Sequence, residues 1–129
     1  MIDRIPLKPT SIEREIFPKM ADEKGLYQMT LPGYWMDIGQ PKDYLSGMSL
    51  YLKQKEETSK EFLAKGDNYT GNVWVHPSSK VDPTALIGPN VSIGANCVIG
   101  PGNKIYNSTI LSGTKVLGYS LIEGSVIGW

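Results

Sequence analysis

The sequence predicts a short α/β region followed by a parallel β-helix, and the β-helix prediction depends on three features of residues 75–111. Gly often follows an aliphatic residue there and Pro often follows one position later, so residues that restrict the backbone recur in phase with hydrophobic ones. A second small or apolar residue lies four positions after the first four aliphatic residues, at Ser79, Ala85, Val91 and Cys97, and the pattern is less regular beyond them. The aliphatic residues recur at every sixth position: Val75, Val81, Ile87, Ile93, Ile99, Ile105 and Leu111.

This spacing excludes a helix and a flat amphipathic strand. A six-residue period does not keep one face of an α-helix apolar, and the prolines would remove helical hydrogen bonds. In a parallel β-helix each hexapeptide supplies one strand and one turn, and three hexapeptides complete a coil of about eighteen residues. We expect three stacked coils with the seven aliphatic residues inside. The phase is expected to slip near residues 105–110, since Val116 and Ile122 are spaced by six residues from Ile110 and not from Leu111.

The repeat resembles that of the hexapeptide-repeat proteins, whose coils are left-handed. Acyltransferases, sugar-nucleotide pyrophosphorylases and non-catalytic scaffolds all carry such repeats, so the pattern indicates a fold and not an activity. We therefore predict a left-handed β-helix over residues 75–129, a connector over residues 67–74 and an α/β unit over residues 1–66.

Composition favours a cytoplasmic protein. The 129 residues include 13 basic and 13 acidic side chains, which gives no electrostatic reason to expect nucleic acid or an anionic membrane as a partner. The single cysteine, Cys97, is predicted to pack in the core. No apolar run has the length of a membrane span or the form of a signal peptide.

The first predicted element is a helix that begins near residue 10. Thr10 and Glu13 have the spacing of a capping box, in which Thr10 caps the helix and Glu13 reaches back to its backbone. Pro18 is expected to kink or split the helix, and Gly25 is expected to end it. One face of this helix is apolar and comprises Ile12, Ile16, Phe17 and Met20.

Two strands and a second helix are predicted to follow. Alternating apolar residues over 26–31 and 34–38 predict a pair of strands joined by a turn at Pro32 and Gly33. Pro41 suits the first position of a helix, and apolar residues continue at helical spacing to about residue 57. A short helical turn is expected within residues 58–65.

Asp37 is the candidate metal ligand. It lies at the end of the second predicted strand, beside a glycine and before the N-terminus of the second helix, where a carboxylate could hold a divalent cation against phosphate oxygens. Taken alone, an Asp in this position is more often a helix cap or a turn residue.

Two segments resemble the mannose-1-phosphate guanylyltransferase (GDP-mannose pyrophosphorylase) family. They are Pro9-Thr-Ser-Ile-Glu-Arg-Glu-Ile-Phe-Pro18 and Gly33-Tyr-Trp-Met-Asp-Ile-Gly-Gln-Pro-Lys-Asp-Tyr-Leu45, and the closing Ser125-Val-Ile-Gly-Trp129 resembles part of that family's β-helix. The resemblance implies that residues 1–66 are the C-terminal part of a Rossmann-like nucleotidyltransferase domain. It also implies that Asp37 is one of two carboxylates that bind Mg²⁺ and that Trp35 lies close to the sugar nucleotide.

The reaction implied by the resemblance joins GTP and mannose-1-phosphate to give GDP-mannose and pyrophosphate. The family's Gly-rich nucleotide loop, first metal-binding Asp and substrate-contacting Lys would precede Met1. We therefore expect this chain to be a fragment, an isoform or a partial gene model of the full enzyme, inactive when isolated. We also expect it to form a homo-oligomer or to pair with a regulatory paralogue.

Two other functions stay open from the sequence. A hexapeptide acyltransferase would use a catalytic His and acyl-CoA, and His76 is the single histidine of the chain. A lone His before Pro77 is more often a solvated turn residue than a catalyst. The second alternative is a non-catalytic regulatory or scaffold subunit of the guanylyltransferase family, although the intact Trp-Met-Asp-Ile-Gly segment favours the catalytic type.

Overall fold

A computed structural model describes residues 2–129 and divides the chain into two compact units, one ending at Gly33 and the other spanning Tyr34–Trp129. The helix of residues 41–58 therefore lies in the same unit as the β-helix. The division predicted at residues 67–74 stays a prediction of domain organisation. Every helix within residues 2–129 is too short or too polar to cross a membrane.

The first unit contains three short helical segments. They are a 3₁₀-helix (Ile2–Arg4), a π-helical turn (Ile12–Ile16) and α1 (Phe17–Asp22). The prediction that Pro18 splits the helix is confirmed, because the π-helical turn ends just before it and Pro18 lies in the first turn of α1. The helix ends three residues before Gly25, whose N–H donates to the Met20 carbonyl at 2.8 Å.

The predicted capping box is wrong in its residues. Ser11 is the cap, because its Oγ accepts a hydrogen bond from the Arg14 N–H at 3.2 Å. Glu15, and not Glu13, reaches back, since its Oε1 accepts from the Ser11 N–H at 2.9 Å. The Thr10 hydroxyl instead donates to a backbone carbonyl two residues earlier, so this alternative local bond removes it from the cap.

The predicted strand pair over residues 26–31 and 34–38 is also wrong. Neither segment forms a strand, and both Tyr27 and Met29 are more than four-fifths exposed. A strand requires a partner for its backbone hydrogen bonds and an apolar surface for one of its faces. Apolar alternation without both requirements leaves an irregular segment.

The second helix and the short turn after it are confirmed. Helix α2 (Pro41–Thr58) has Pro41 as its first residue and buries Leu52. A 3₁₀-helix (Lys60–Phe62) follows. The proline fits here because the first helical N–H has no partner within the helix.

Residues 73–127 form a parallel β-solenoid, consistent with the predicted left-handed β-helix. Its strands are β1 (Val73–Val75), β2 (Lys80–Val81), β3 (Leu86–Ile87), β4 (Val91–Ile93), β5 (Val98–Ile99), β6 (Lys104–Tyr106), β7 (Ser108–Ile110), β8 (Lys115–Val116), β9 (Leu121–Glu123) and β10 (Val126–Ile127). Each strand pairs in parallel with the strand one coil away, so the solenoid has one four-stranded sheet (β1-β4-β7-β10) and two three-stranded sheets (β2-β5-β8 and β3-β6-β9).

The solenoid core has the predicted aliphatic residues with one exception. Four of the seven are fully buried, namely Ile87, Ile93, Ile99 and Ile105. Val75 and Val81 are half-buried and pack against this core. Leu111 is half-buried, and the adjacent Ile110 takes the interior position.

The predicted phase slip explains that exception. Val91 pairs with Val73 eighteen residues earlier, whereas Ser108 pairs with Val91 only seventeen residues earlier. The missing residue falls at the corner between β6 and β7. The later pairs keep the shorter coil, as Val126 pairs with Thr109.

The glycines that follow the inward aliphatic residues are required by the close stacking of coils. A Cβ atom at Gly94 would lie 2.7 Å from the Ser112 nitrogen, and one at Gly100 would lie 3.0 Å from the Gly118 nitrogen. A Cβ atom at Gly88 would clash directly with the Thr70 carbonyl oxygen. The Gly pattern seen in the sequence thus reports backbone contact between coils.

Part of the predicted connector already belongs to the solenoid. The Thr70 N–H donates to the Ile87 carbonyl at 2.8 Å, and the Ile87 N–H donates to the Asn68 carbonyl at 2.9 Å. Tyr69 packs against the core. Residues 68–70 therefore pair with the outer edge of β3.

Candidate functional site

The predicted substrate-binding residue, Trp35, and the predicted metal ligand, Asp37, lie on the segment that leads into α2. The alternate residues Tyr34, Met36 and Ile38 line a cavity of about 350 Å³ beside α2. Trp35 and Asp37 fall between these positions and are exposed, Trp35 to 74%. Alternate side chains of this segment therefore line the cavity, as the sequence pattern indicated, although no strand forms.

The Asp37 carboxylate is held by a local turn. Its Oδ1 accepts a hydrogen bond from the Gly39 N–H at 3.0 Å, two residues before α2 begins at Pro41. This bond orients the carboxylate and leaves it exposed. The arrangement is the turn role that the sequence allowed as the commoner use of such an Asp.

The Asp37 carboxylate also fits one part of a magnesium site. Mg²⁺ prefers oxygen ligands and is commonly held by one or two carboxylates, substrate phosphates and waters. An exposed carboxylate with one oxygen oriented by a backbone N–H can supply one such ligand. Within residues 2–129 no three His, Cys, Asp or Glu side chains come together as a metal site. The roles of Asp37 and Trp35 stay predictions.

A column of aromatic rings, which the sequence pattern did not predict, joins α2 to the solenoid. Tyr51 meets Phe62 edge to face with ring centres 6.0 Å apart, and Phe62 stacks on Trp74 at 5.6 Å. The Lys55 ammonium lies 5.5 Å and 5.4 Å from the centres of the Tyr51 and Phe62 rings. A Trp between inward-facing valines of β1 was the available signal, because such a residue projects outward and needs cover.

His76 ends this column and takes part in a turn. Its ring meets Trp74 edge to face at 5.9 Å. Its Nδ1 lies 2.8 Å from the Ser78 Oγ and accepts from the Ser78 N–H at 3.1 Å. These contacts agree with the turn role that the sequence favoured over acyl transfer.

A larger cavity, of about 510 Å³, lies where α2 passes a corner of the solenoid. Asparagine side chains are stacked along this corner. The Asn72 Oδ1 accepts from the Asn90 N–H at 3.1 Å, and the Asn90 Nδ2 donates to the Asn107 Oδ1 at 2.9 Å. Ser49 of α2 donates to the Asn90 Oδ1 at 2.9 Å, so the ladder also anchors the helix.

Comparison with known proteins extends over the whole chain. Residues 69–129 match the family described as GMPPB C-terminal domain. The chain is 53% identical over 129 residues to "Probable mannose-1-phosphate guanylyltransferase 3" of Arabidopsis thaliana, of which it covers 39%. It is 50% identical to "Mannose-1-phosphate guanyltransferase beta-A" of Xenopus laevis and to "Mannose-1-phosphate guanylyltransferase catalytic subunit beta" of Danio rerio, covering 36% of each. All 129 residues are matched in each case, so the chain spans little more than a third of these relatives.

Proposed function

We propose that this chain forms the C-terminal part of the catalytic domain and the start of the β-helix of a mannose-1-phosphate guanylyltransferase. Residues 69–129 match the GMPPB C-terminal domain, and the whole chain is similar to the mannose-1-phosphate guanylyltransferases. The observation that carries this proposal is the extent of the identity. Similarity confined to the coils would indicate only a shared solenoid. Identity of 53% over all 129 residues also covers the segment that bears Trp35 and Asp37.

The proposed reaction is nucleotidyl transfer. A phosphate oxygen of mannose-1-phosphate attacks the α-phosphorus of GTP, the bond to the bridging oxygen of the β-phosphate breaks, and pyrophosphate leaves as GDP-mannose forms. Such a step depends mainly on positioning the reactants and on stabilising the charge of the phosphate oxygens. Bound Mg²⁺ would supply charge neutralisation, with Asp37 as one of its protein ligands.

The surroundings of Asp37 suit this role. The Gly39 N–H fixes one carboxylate oxygen at 3.0 Å, so the carboxylate can keep one orientation while a ligand binds its exposed side. Trp35 is exposed two residues before Asp37 and is proposed to contact the sugar nucleotide. The second metal-binding carboxylate is proposed to come from outside residues 2–129.

The partners proposed for the whole enzyme are GTP, mannose-1-phosphate and further subunits. The subunits are a second copy of the chain or a regulatory paralogue, and the proposed compartment is the cytoplasm. The alternative of a non-catalytic regulatory or scaffold subunit predicts that even the longer protein does not synthesise GDP-mannose.

The test compares Asp37→Asn with Asp67→Asn in a protein that contains the catalytic segment of the relatives together with these residues. We expect Asp37→Asn to lower kcat by roughly 10²-fold or more, because a charge-stabilising ligand is lost at the reacting phosphates. Asp67 is exposed in a turn and serves as the matched carboxylate control, so its variant is expected to keep kcat. A kcat that is indifferent to Asp37→Asn overturns the proposed role.

The isolated 129-residue chain provides a second test. We expect no GDP-mannose from the chain with GTP, mannose-1-phosphate and Mg²⁺, because one carboxylate without a nucleotide-binding loop supplies neither the positioning nor the charge stabilisation. GDP-mannose formation that Asp37→Asn abolishes would contradict this expectation.

A further inference from the structure

A glycine in the middle of α2 requires an explanation. Gly47 is the seventh residue of an eighteen-residue helix. Glycine in a helix interior costs about 1 kcal/mol relative to alanine, because it loses more backbone freedom on folding. A residue with this cost usually serves a close contact.

The close contact of Gly47 is with the segment that bears Asp37. A Cβ atom at Gly47 would lie 3.0 Å from the Ile38 Cγ2 and 4.0 Å from the Met36 Sδ. A separation of 3.0 Å is shorter than carbon atoms normally approach, so with a methyl group here the Ile38 side chain would have to shift by a few tenths of an ångström away from the helix. Gly47 thus provides the space in which Ile38 rests on α2.

The position of this segment depends on such side-chain contacts. Residues 34–38 form no strand, so no ladder of backbone hydrogen bonds fixes them. Their contact with the helix runs through Tyr34, Met36 and Ile38, which line the cavity beside Gly47 and Met48. Ile38 directly follows Asp37 in the chain, so a displacement of the Ile38 backbone would also move Asp37 and its carboxylate.

We propose that Gly47 is a positioning residue, which sets the place of the Asp37 carboxylate by allowing Ile38 to pack against α2. Its effect on catalysis rests on the proposed function, in which Asp37 is a metal ligand. Its effect on the position of Asp37 does not depend on that function.

The first test uses the 129-residue chain and its backbone amide resonances. In Gly47→Ala we expect displaced resonances at Asp37, Ile38 and Gly39, the last because its N–H donates to the Asp37 carboxylate. Ser46→Ala is the matched control, since it makes a similar change of helix propensity one residue away at an exposed position. It is expected to leave those three resonances in place.

A compensating variant separates a specific contact from general damage. Ile38→Leu keeps the volume of the side chain but moves its branch point, which removes the Cγ2 atom that a methyl group at Gly47 would meet. We expect Gly47→Ala/Ile38→Leu to return the Asp37 and Gly39 resonances toward their original positions. Unchanged Asp37 and Gly39 resonances in Gly47→Ala overturn the inference, and so does a double variant that shows no recovery.

The second test measures turnover in the longer enzyme described above. We expect Gly47→Ala to lower kcat about threefold to tenfold, since a misplacement of a few tenths of an ångström costs less than the 10²-fold loss typical of a full ångström. The double variant is expected to recover part of this loss. A normal kcat in Gly47→Ala, in an enzyme that Asp37→Asn inactivates, overturns the catalytic part of the inference. Indifference of kcat to Asp37→Asn refutes instead the proposed function, while the resonances still decide the role of Gly47.

Discussion

Residues 26–38 and the solenoid both have regular patterns of apolar residues, but only the solenoid forms β-sheets. In the solenoid every strand meets a parallel partner seventeen or eighteen residues away, so the repeat supplies both the hydrogen-bonding partner and the core. Residues 26–38 alternate just as clearly, yet their side chains are mostly exposed and no strand forms. An apolar pattern indicates which side chains could be buried together. A strand forms only where the chain also provides a neighbouring strand with which it can pair.

The largest expected effect contrasts the two regions directly. Ile93→Ala should lower the free energy of unfolding by about 2–5 kcal/mol, because it opens a cavity in a core where Ile93 has no exposed surface. Met29→Ala, which also shortens a large apolar side chain, should change it by no more than about 0.5 kcal/mol, since Met29 is exposed. Urea denaturation of both variants measures the difference. An equal loss of unfolding free energy in the two variants would contradict the exposure of Met29.

A smaller effect is expected where coils stack. Gly94→Ala should cost roughly 1–3 kcal/mol, as the added methyl group would lie 2.7 Å from the Ser112 nitrogen and force the coils apart. Gly25→Ala is the control outside the solenoid, because a Cβ atom there would meet its nearest atom at an ordinary 3.7 Å. Its effect should stay within about 0.5 kcal/mol. A tolerated Gly94→Ala in denaturant titrations would contradict the close stacking of these coils.

Two neighbouring polar residues sharpen the comparison within the solenoid. The Ser108 hydroxyl makes two hydrogen bonds: it donates to the Tyr106 carbonyl at 2.8 Å and accepts from the Ser125 N–H at 3.1 Å. The Thr109 hydroxyl is buried without a partner among the described residues. Thermal melts should therefore show that Ser108→Ala destabilises by about 1–3 kcal/mol, whereas Thr109→Val stabilises by about 1 kcal/mol. A destabilising Thr109→Val would reveal a partner for its hydroxyl, such as a bound water.

The smallest expected effect concerns pH at a solenoid corner. Hydrogen bonds from the Thr84 hydroxyl and then from the Thr84 N–H lower the pKa of Asp82 below its ordinary value of 3.8, against a smaller opposing effect of burial. Because the pKa is lower in the folded state, the bonds stabilise the fold above pH 3.8 and this contribution disappears as the pH falls through the lowered value. Thr84→Val should weaken the acid dependence of unfolding below pH 4, and Thr84→Ser, which keeps a hydroxyl, should preserve it. Identical acid profiles for the two variants would contradict this account.

The sequence predicted the features that repeat and missed those that depend on one distant contact. The six-residue period identified the solenoid, its buried isoleucines and the shift toward Ile110. It could not reveal that Phe62 stacks on Trp74, because a single long-range pair leaves no period in the sequence. The cap moved from Thr10 to Ser11 for a similar reason, as neighbouring hydroxyls compete and only local geometry decides between them.

The sequence predicted where Asp37 lies along the chain but not which residues pack around it. The position of Asp37 before Pro41 located the carboxylate at the entrance of a helix, as the structure has it. The packing of Ile38 over Gly47 is a contact between an irregular segment and a helix. No periodic pattern in the sequence predicts a contact of this kind.

The change from eighteen to seventeen residues per coil bears on how such a chain can gain or lose residues. A deletion inside a two- or three-residue strand would exchange the inward and outward side chains up to the next corner, and would bury polar groups. A deletion at the corner between β6 and β7 leaves Ile105 and Ile110 both inward, since each strand keeps its own register with the coil before it. Insertions and deletions among homologous chains should therefore collect at corners. Alignments that force a strict six-residue frame will misplace every residue beyond the first shortened coil.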